Sequence, residues 1–172
     1  MTITDNTLQL VRLENAGELH LDWQSVEEIV GAVLARVRAR DAAHRIRSHV
    51  PPGLPLLRAD PVLLAQLLEN LLDNALKYTA GAIDLEVGTD GDAMEVRVAD
   101  RGEGLRADSL AFEPFRRGDL GARRGSGLGL AVCRAIAQAH GGALAVSRRD
   151  GGGSVFSVRL PVVESPPVPE PA

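Results

Sequence analysis

Residues 83–100 read Ile83-Asp84-Leu85-Glu86-Val87-Gly88-Thr89-Asp90-Gly91-Asp92-Ala93-Met94-Glu95-Val96-Arg97-Val98-Ala99-Asp100. In an extended chain Ile83, Leu85 and Val87 fall on one side, Asp84 and Glu86 on the other. Met94, Val96 and Val98 repeat the pattern against Glu95 and Arg97, and Asp90-Gly91 between the two runs is a hairpin signal. Strands with one wet face belong to a mostly antiparallel sheet. The amphipathic helices on either side must then stack on its dry face. The expected fold is an α/β two-layer sandwich: a mixed, mostly antiparallel sheet with helices on one face.

Working outward, Ser25-Val26-Glu27-Glu28 is a capping box. It opens a helix whose Val26, Ile29, Val30, Val33, Leu34 and Val37 share a face. Asp60-Pro61 pairs an N-cap with a proline at the first helical position, and that helix runs to about Tyr78. A third helix is expected from Leu128 to His140, stopped at Gly141-Gly142. Further strands are expected at Glu18 to Trp23 and His44 to Val50, with a final hairpin of Leu144 to Ser147 and Val155 to Leu160. Leu8 to Gly17 reads as a helix end. Residues 162–172, with Pro166, Pro167, Pro169 and Pro171, read as a disordered tail.

The 172 residues suit one domain with a real core, residues 18–161. Hydrophobic residues make up 45% but aromatics only 3%, so Leu, Val, Ile and Ala must build that core. A formal charge of −4 lacks the basic footprint of a nucleic-acid binder. No apolar run reaches the roughly 20 residues of a membrane span, and no signal peptide is visible. A single cysteine, Cys133, suits a reducing compartment.

Asn70, Asn74 and Lys77 lie at i, i+4 and i+7, on one stripe of their helix, opposite Leu64, Leu68, Leu71, Leu72 and Ala75. Asparagine is a poor helix former, so two on one stripe need a reason. Amide oxygens can ligate a hard cation and amide or ammonium donors suit phosphate; a solvated polar face explains them equally. Asp100 falls on the apolar side of its strand, where a carboxylate must be paired. It could accept from an exocyclic amine such as that of adenine, or from turn amides. Gly102 and Gly104 after it permit close approach. Gly125-Ser126-Gly127-Leu128-Gly129-Leu130 leads into a helix, the arrangement that cradles phosphates, but it matches neither a Walker loop nor a dinucleotide fingerprint. Arg116, Arg117, Arg123 and Arg124 could close as a lid or belong to a solvated loop, and Phe112 and Phe115 could anchor it or fill the core.

In order along the chain, Asn70 to Tyr78 resembles the N box of bacterial sensor histidine kinases, Asp100 to Gly104 their G1 box, Phe112-Glu113-Pro114-Phe115 their F box and Gly125 to Leu130 their G2 box. The resemblance covers residues 18 to 161 and implies the Bergerat ATP-binding fold. It implies that Asp100 holds the adenine amino group, beside Gly102, Gly104 and Leu105. Asn74 with Asn70 would carry Mg²⁺ and phosphate, Lys77 phosphate, and Tyr78 and Phe115 would lie by the nucleotide. The backbone of Gly125 to Leu130 would wrap the phosphates, with Arg116, Arg123 or Arg124 reaching the γ-phosphate. Hydrolysing relatives carry a glutamate where Asn70 stands; an amide cannot take a proton from water, which favours transfer to a protein group.

None of His20, His44, His49 and His140 has the context of the family's phosphoacceptor, and Leu13 to Gly17 resembles the tail of the missing hairpin. The implied partners are that histidine hairpin and a response regulator, with the chain as the cytoplasmic part of an inner-membrane sensor. Leu21 to Gly31 resembles the Kdp-type kinases of potassium uptake. An anti-sigma-factor serine kinase of the same superfamily and a non-catalytic nucleotide-binding module are the alternatives.

Overall fold

The structure is a computed structural model and describes residues 19–101 and 126–163. Among them the order is β1 (Asp22–Gln24), α1 (Val26–Arg38), β2 (Ile46–His49), β3 (Leu57–Ala59), α2 (Pro61–Tyr78), β4 (Ile83–Asp90), β5 (Ala93–Ala99), α3 (Ser126–Ala139), β6 (Ala143–Arg148) and β7 (Ser154–Pro161). Five strands form one sheet in the order β2-β4-β5-β7-β6, and β1 pairs with β3 in a separate ribbon. Only β2–β4 is a parallel pair; every other pair is antiparallel.

Period-two alternation sets the register. Val87 stands opposite Val96, which stands opposite Val158, and Leu85, Val98 and Phe156 form the next row. These rows are buried beneath the helices. The opposite face carries Glu86 paired to Arg97 at 2.7 Å and Arg159 bridging Asp90 and Glu95 at 2.8 and 3.0 Å. Being exposed, such pairs add little stability and mainly keep that face wet.

The helices make the second layer. α1 packs on α2, α2 on α3, and α2 and α3 reach β5, β6 and β7. The six apolar residues expected on the first helix are all buried, as are Leu64, Leu67, Leu68, Leu71 and Leu72 of α2. Truncating one of these leucines to alanine costs about 2–5 kcal/mol, because cores at crystal-like density cannot fill the hole.

Two local expectations need correction, and one strand has no counterpart among them. The first strand is Asp22–Gln24, later than Glu18 to Trp23, because its register is set by pairing with β3 rather than by its own alternation. β3 itself has no separate signal: three residues between Pro55 and Asp60 are too short to show a period. The third helix begins at Ser126, so the glycine-rich run contributes its first turn instead of preceding it. At the other end, Val162 is still tied to the sheet through its N–H to Asp92 O at 2.7 Å; residues 1–18 and 164–172 lie outside the described residues.

Candidate functional site

α2 presents its asparagines inward more than an amphipathic wheel suggests. Asn74 is buried, and its Oδ1 has no hydrogen-bond partner among the described residues. The Nδ2 of Asn70 is likewise enclosed and meets no oxygen acceptor among them, although it lies by the Cys133 sulfur. A solvated polar stripe is therefore excluded for Asn74 and for the Asn70 amide nitrogen. An orphaned buried amide oxygen costs on the order of 1–3 kcal/mol, so Asn74 calls for a use. Lys77, one turn on, is exposed, and Tyr78 is half-buried.

Asn70 neighbours Cys133 of α3. Burial pushes the Cys133 thiol up to about 12, against a smaller downward pull from the Asn70 amide. The thiol donates to Leu67 O at 3.6 Å. It behaves as a small core hydrophobe.

Asp100, at the end of β5, is 1% exposed. Its Oδ1 accepts from Ser154 N at 3.2 Å, and its own N–H donates to Ser154 O at 2.9 Å. A backbone amide at the start of β7 thus occupies part of the carboxylate. The β6–β7 turn just before it is pressed close: Gly153 has φ +108°, and a Cβ there would stand 2.0 Å from Asp100 O. Only glycine fits that position. Arg149 donates to Asp100 O at 3.3 Å and pairs with Asp84, and Arg101 donates to Asp150 O at 2.7 Å. None of Gly153, Ser154 and Arg149 is signalled by the sequence, since they meet Asp100 only through sheet register.

Ser126, Gly127, Gly129 and Leu130 lie in the opening turns of α3, whose first N–H groups have no intrahelical acceptor. Leu130 is 2% exposed in the core, so only its backbone can serve a ligand. A methyl at Gly129 would meet no described atom within 4 Å, so packing against the described residues does not require glycine there. Gly102, Gly104, Leu105, Phe115, Arg116, Arg123, Arg124 and Gly125 lie outside the described residues, as do the side chains of Ser126, Gly127 and Leu128. Among the described residues no cluster of three His, Cys, Asp or Glu side chains could hold a metal, and no helix is long and apolar enough to cross a membrane.

Residues 59–164 match the histidine kinase-, DNA gyrase B-, and HSP90-like ATPases. The chain belongs to that family. Within it the similar proteins are sensor histidine kinases. The sensor protein KdpD of Escherichia coli K12 is 35% identical over 98% of this chain and 19% of its own length. The sensor kinase RcsC of the same organism is 40% identical over 66% of the chain and 13% of its own length. The chain thus spans under a fifth of either relative. Full-length ShkA, solved with AMPPNP, superposes with TM-score 0.80 at 32% identity over 95% of this chain and 36% of its own. Acinetobacter baumannii AdeS, at 23% identity and TM-score 0.77 over 94% of this chain and 77% of its own, shares the fold. This is the catalytic, ATPase-like domain of a sensor histidine kinase, with Kdp-type kinases among its relatives.

Proposed function

We propose that this kinase domain binds Mg-ATP between α2, the end of β5 and the start of α3, and that it donates the γ-phosphate to a histidine on a separate helical hairpin. The observation that carries the reading is the orphaned Asn74 Oδ1 on α2, with the enclosed Asn70 amide one turn before it. Asn74 Oδ1 is an acceptor of the hard, neutral kind that suits Mg²⁺, and Asn70 Nδ2 is a donor that suits a phosphate oxygen or a metal-bound water. Mg²⁺ keeps several waters and shares phosphate oxygens, so the lack of a carboxylate cluster among the described residues fits an ion held together with the nucleotide. When bound, the metal neutralises charge on the phosphates.

The chain's own residues do the rest. Asp100, fixed by Ser154, accepts from the adenine amino group at the end of β5. The helix N-terminus of α3 offers free N–H groups and the positive end of its dipole to the phosphates, and Lys77 adds a positive charge from α2. Tyr78 lies against the nucleotide. By the resemblance of their motifs, Gly102, Gly104, Leu105, Phe115 and Gly125 would extend the pocket, and Arg116, Arg123 or Arg124 would reach the γ-phosphate. Asn70, an amide, cannot act as a general base, so water is not activated and transfer to an imidazole is favoured. Positioning and charge neutralisation carry most of such a transfer. The onward acceptor is a response regulator, and the likeness to KdpD supports potassium or osmotic signalling from the cytoplasmic side.

Calorimetric titration with AMPPNP, with and without Mg²⁺ and with GTP as control, tests this. Adenine-specific binding strengthened by Mg²⁺ is expected. An Asn74→Ala variant should lose the Mg²⁺ dependence and keep metal-free binding; equal loss in both conditions would remove the metal role.

A further inference from the structure

α2 ends without the residue that ordinarily closes a helix. Its C-cap, Thr79, is extended (φ −133°, ψ 165°), so no left-handed glycine takes up the last carbonyls. Thr79 itself serves the Ala75 carbonyl through its N–H at 3.2 Å, and Arg45, at the entrance to β2, serves that of Leu76 and the carbonyls just past the helix. Its Nη1 donates to Leu76 O at 3.1 Å, its Nη2 to Thr79 O at 2.7 Å and to Thr79 Oγ1 at 3.0 Å, and its Nε to Gly81 O at 2.8 Å. Thr79 Oγ1 in turn donates to Ala75 O at 2.5 Å. One guanidinium therefore binds three carbonyls and a hydroxyl around the helix end. Its positive charge also meets the negative end of the helix dipole. A lysine, with one compact ammonium, cannot span that set.

Arg45 is itself held in place. His44 before it has φ +51°, a left-handed conformation that a residue with a side chain adopts at a cost. Asp41, 3% exposed, accepts the N–H groups of Arg45 at 2.9 Å and Ile46 at 3.0 Å, and the His44 N–H donates to Asp41 O at 3.0 Å. The turn from Asp41 to Arg45 is thus fixed from both sides, with strain concentrated at the residue that aims the guanidinium. Such strain persists only where the surroundings over-determine it, and it clusters at functional sites.

We propose that Arg45 is a positioning residue for nucleotide binding, fixing the last turn of α2 so that Asn74, Lys77 and Tyr78 hold one arrangement. The inference rests on the reading of α2 as the nucleotide-bearing helix. Lys77 and Tyr78 lie between the two helix-end carbonyls that Arg45 binds, Leu76 and Thr79, and Asn74 precedes Ala75, whose carbonyl accepts from the Arg45-bound hydroxyl. Without the guanidinium that turn frays, and binding must first re-order it.

The experiment uses the whole chain with Arg45→Lys and Arg45→Ala, reading AMPPNP affinity in Mg²⁺ by calorimetry, amide exchange, and rescue by millimolar methylguanidinium against methylammonium. Expected is roughly a tenfold loss of affinity in Arg45→Lys, the scale of one or two net hydrogen bonds. Faster exchange should be confined to residues 78–81, and methylguanidinium alone should restore affinity in Arg45→Ala. Wild-type affinity in Arg45→Lys, or a loss accompanied by faster exchange throughout the chain with no rescue, would overturn it. Should Arg45→Ala fail to fold, Arg45→Lys carries the test. If the wild-type chain binds no adenine nucleotide, the functional reading fails separately. Exchange then decides whether Arg45 fixes the turn: localised loss of protection in Arg45→Lys supports that part, and an unchanged pattern overturns it.

Discussion

At its first turn α2 is closed by a residue next to it in the chain: Asp60 Oδ1 accepts from Val62 N at 3.0 Å and Leu63 N at 3.2 Å. At its last turn it is closed from the far side of β2 by Arg45, more than thirty positions away. The N-terminal cap also collects distant partners, since Asp60 Oδ2 accepts from His20 N at 3.1 Å. Its own N–H donates to His140 Nε2 at 3.0 Å, which leaves Nδ1 of that ring as the donor to Ile136 O at 2.8 Å. The difference lies in what survives without tertiary structure. An Asp-Pro start forms from local chemistry, whereas the C-terminal end has only the Thr79 bonds to Ala75 O until β2 docks and Arg45 adds the rest.

If that distinction is right, the distant cap should be worth more than the local one. Arg45→Ala should cost about 2 kcal/mol in denaturant unfolding, since several carbonyls lose charged donors together. A cost below that of the local cap would break the comparison. Asp41 sharpens it through pH. Burial would raise its carboxyl pKa, but the Arg45 and Ile46 N–H donors and the nearby Arg45 and His44 charges outweigh this and hold it below the ordinary 3.8. The contribution is therefore complete well above pH 3.8 and disappears as the pH falls through the lower folded-state value. Acid titration of stability should show a shallower decline in Asp41→Asn than in wild type, after allowing for the variant's lower plateau. Asp60→Ala should cost about 1 kcal/mol, typical of a lost N-cap. Ser25→Ala, which removes one exposed 3.3 Å bond to Glu28 N, should cost about 0.5 kcal/mol, the low end for such caps.

The same distinction explains what could be read in advance. α2 begins and ends where Asp60-Pro61 and the apolar stripe place it, and β4 and β5 lie where alternation puts them, because those signals are local and periodic. The burial of Asp100 follows from period two. Its partners do not, because Gly153 and Ser154 reach it only through the pairing of β5 with β7. Arg45 carried no signal as a residue. Its role depends on the docking of β2 beside the end of α2, which no local pattern reports. The two asparagines stood out as poor helix formers, but only packing showed that their amide atoms are enclosed.

Cys133 has a practical consequence. Its sulfur is fully enclosed beneath α2, and thiolate, the species that reacts with alkylating reagents, is vanishingly scarce for a group raised to about 12. The folded chain should therefore be inert to such reagents. Labelling would proceed only through openings that separate α3 from α2, so its rate becomes a clock for those openings. Nucleotide that bridges the two helices should slow that clock, which makes one native thiol a reporter of ligand binding with no label introduced.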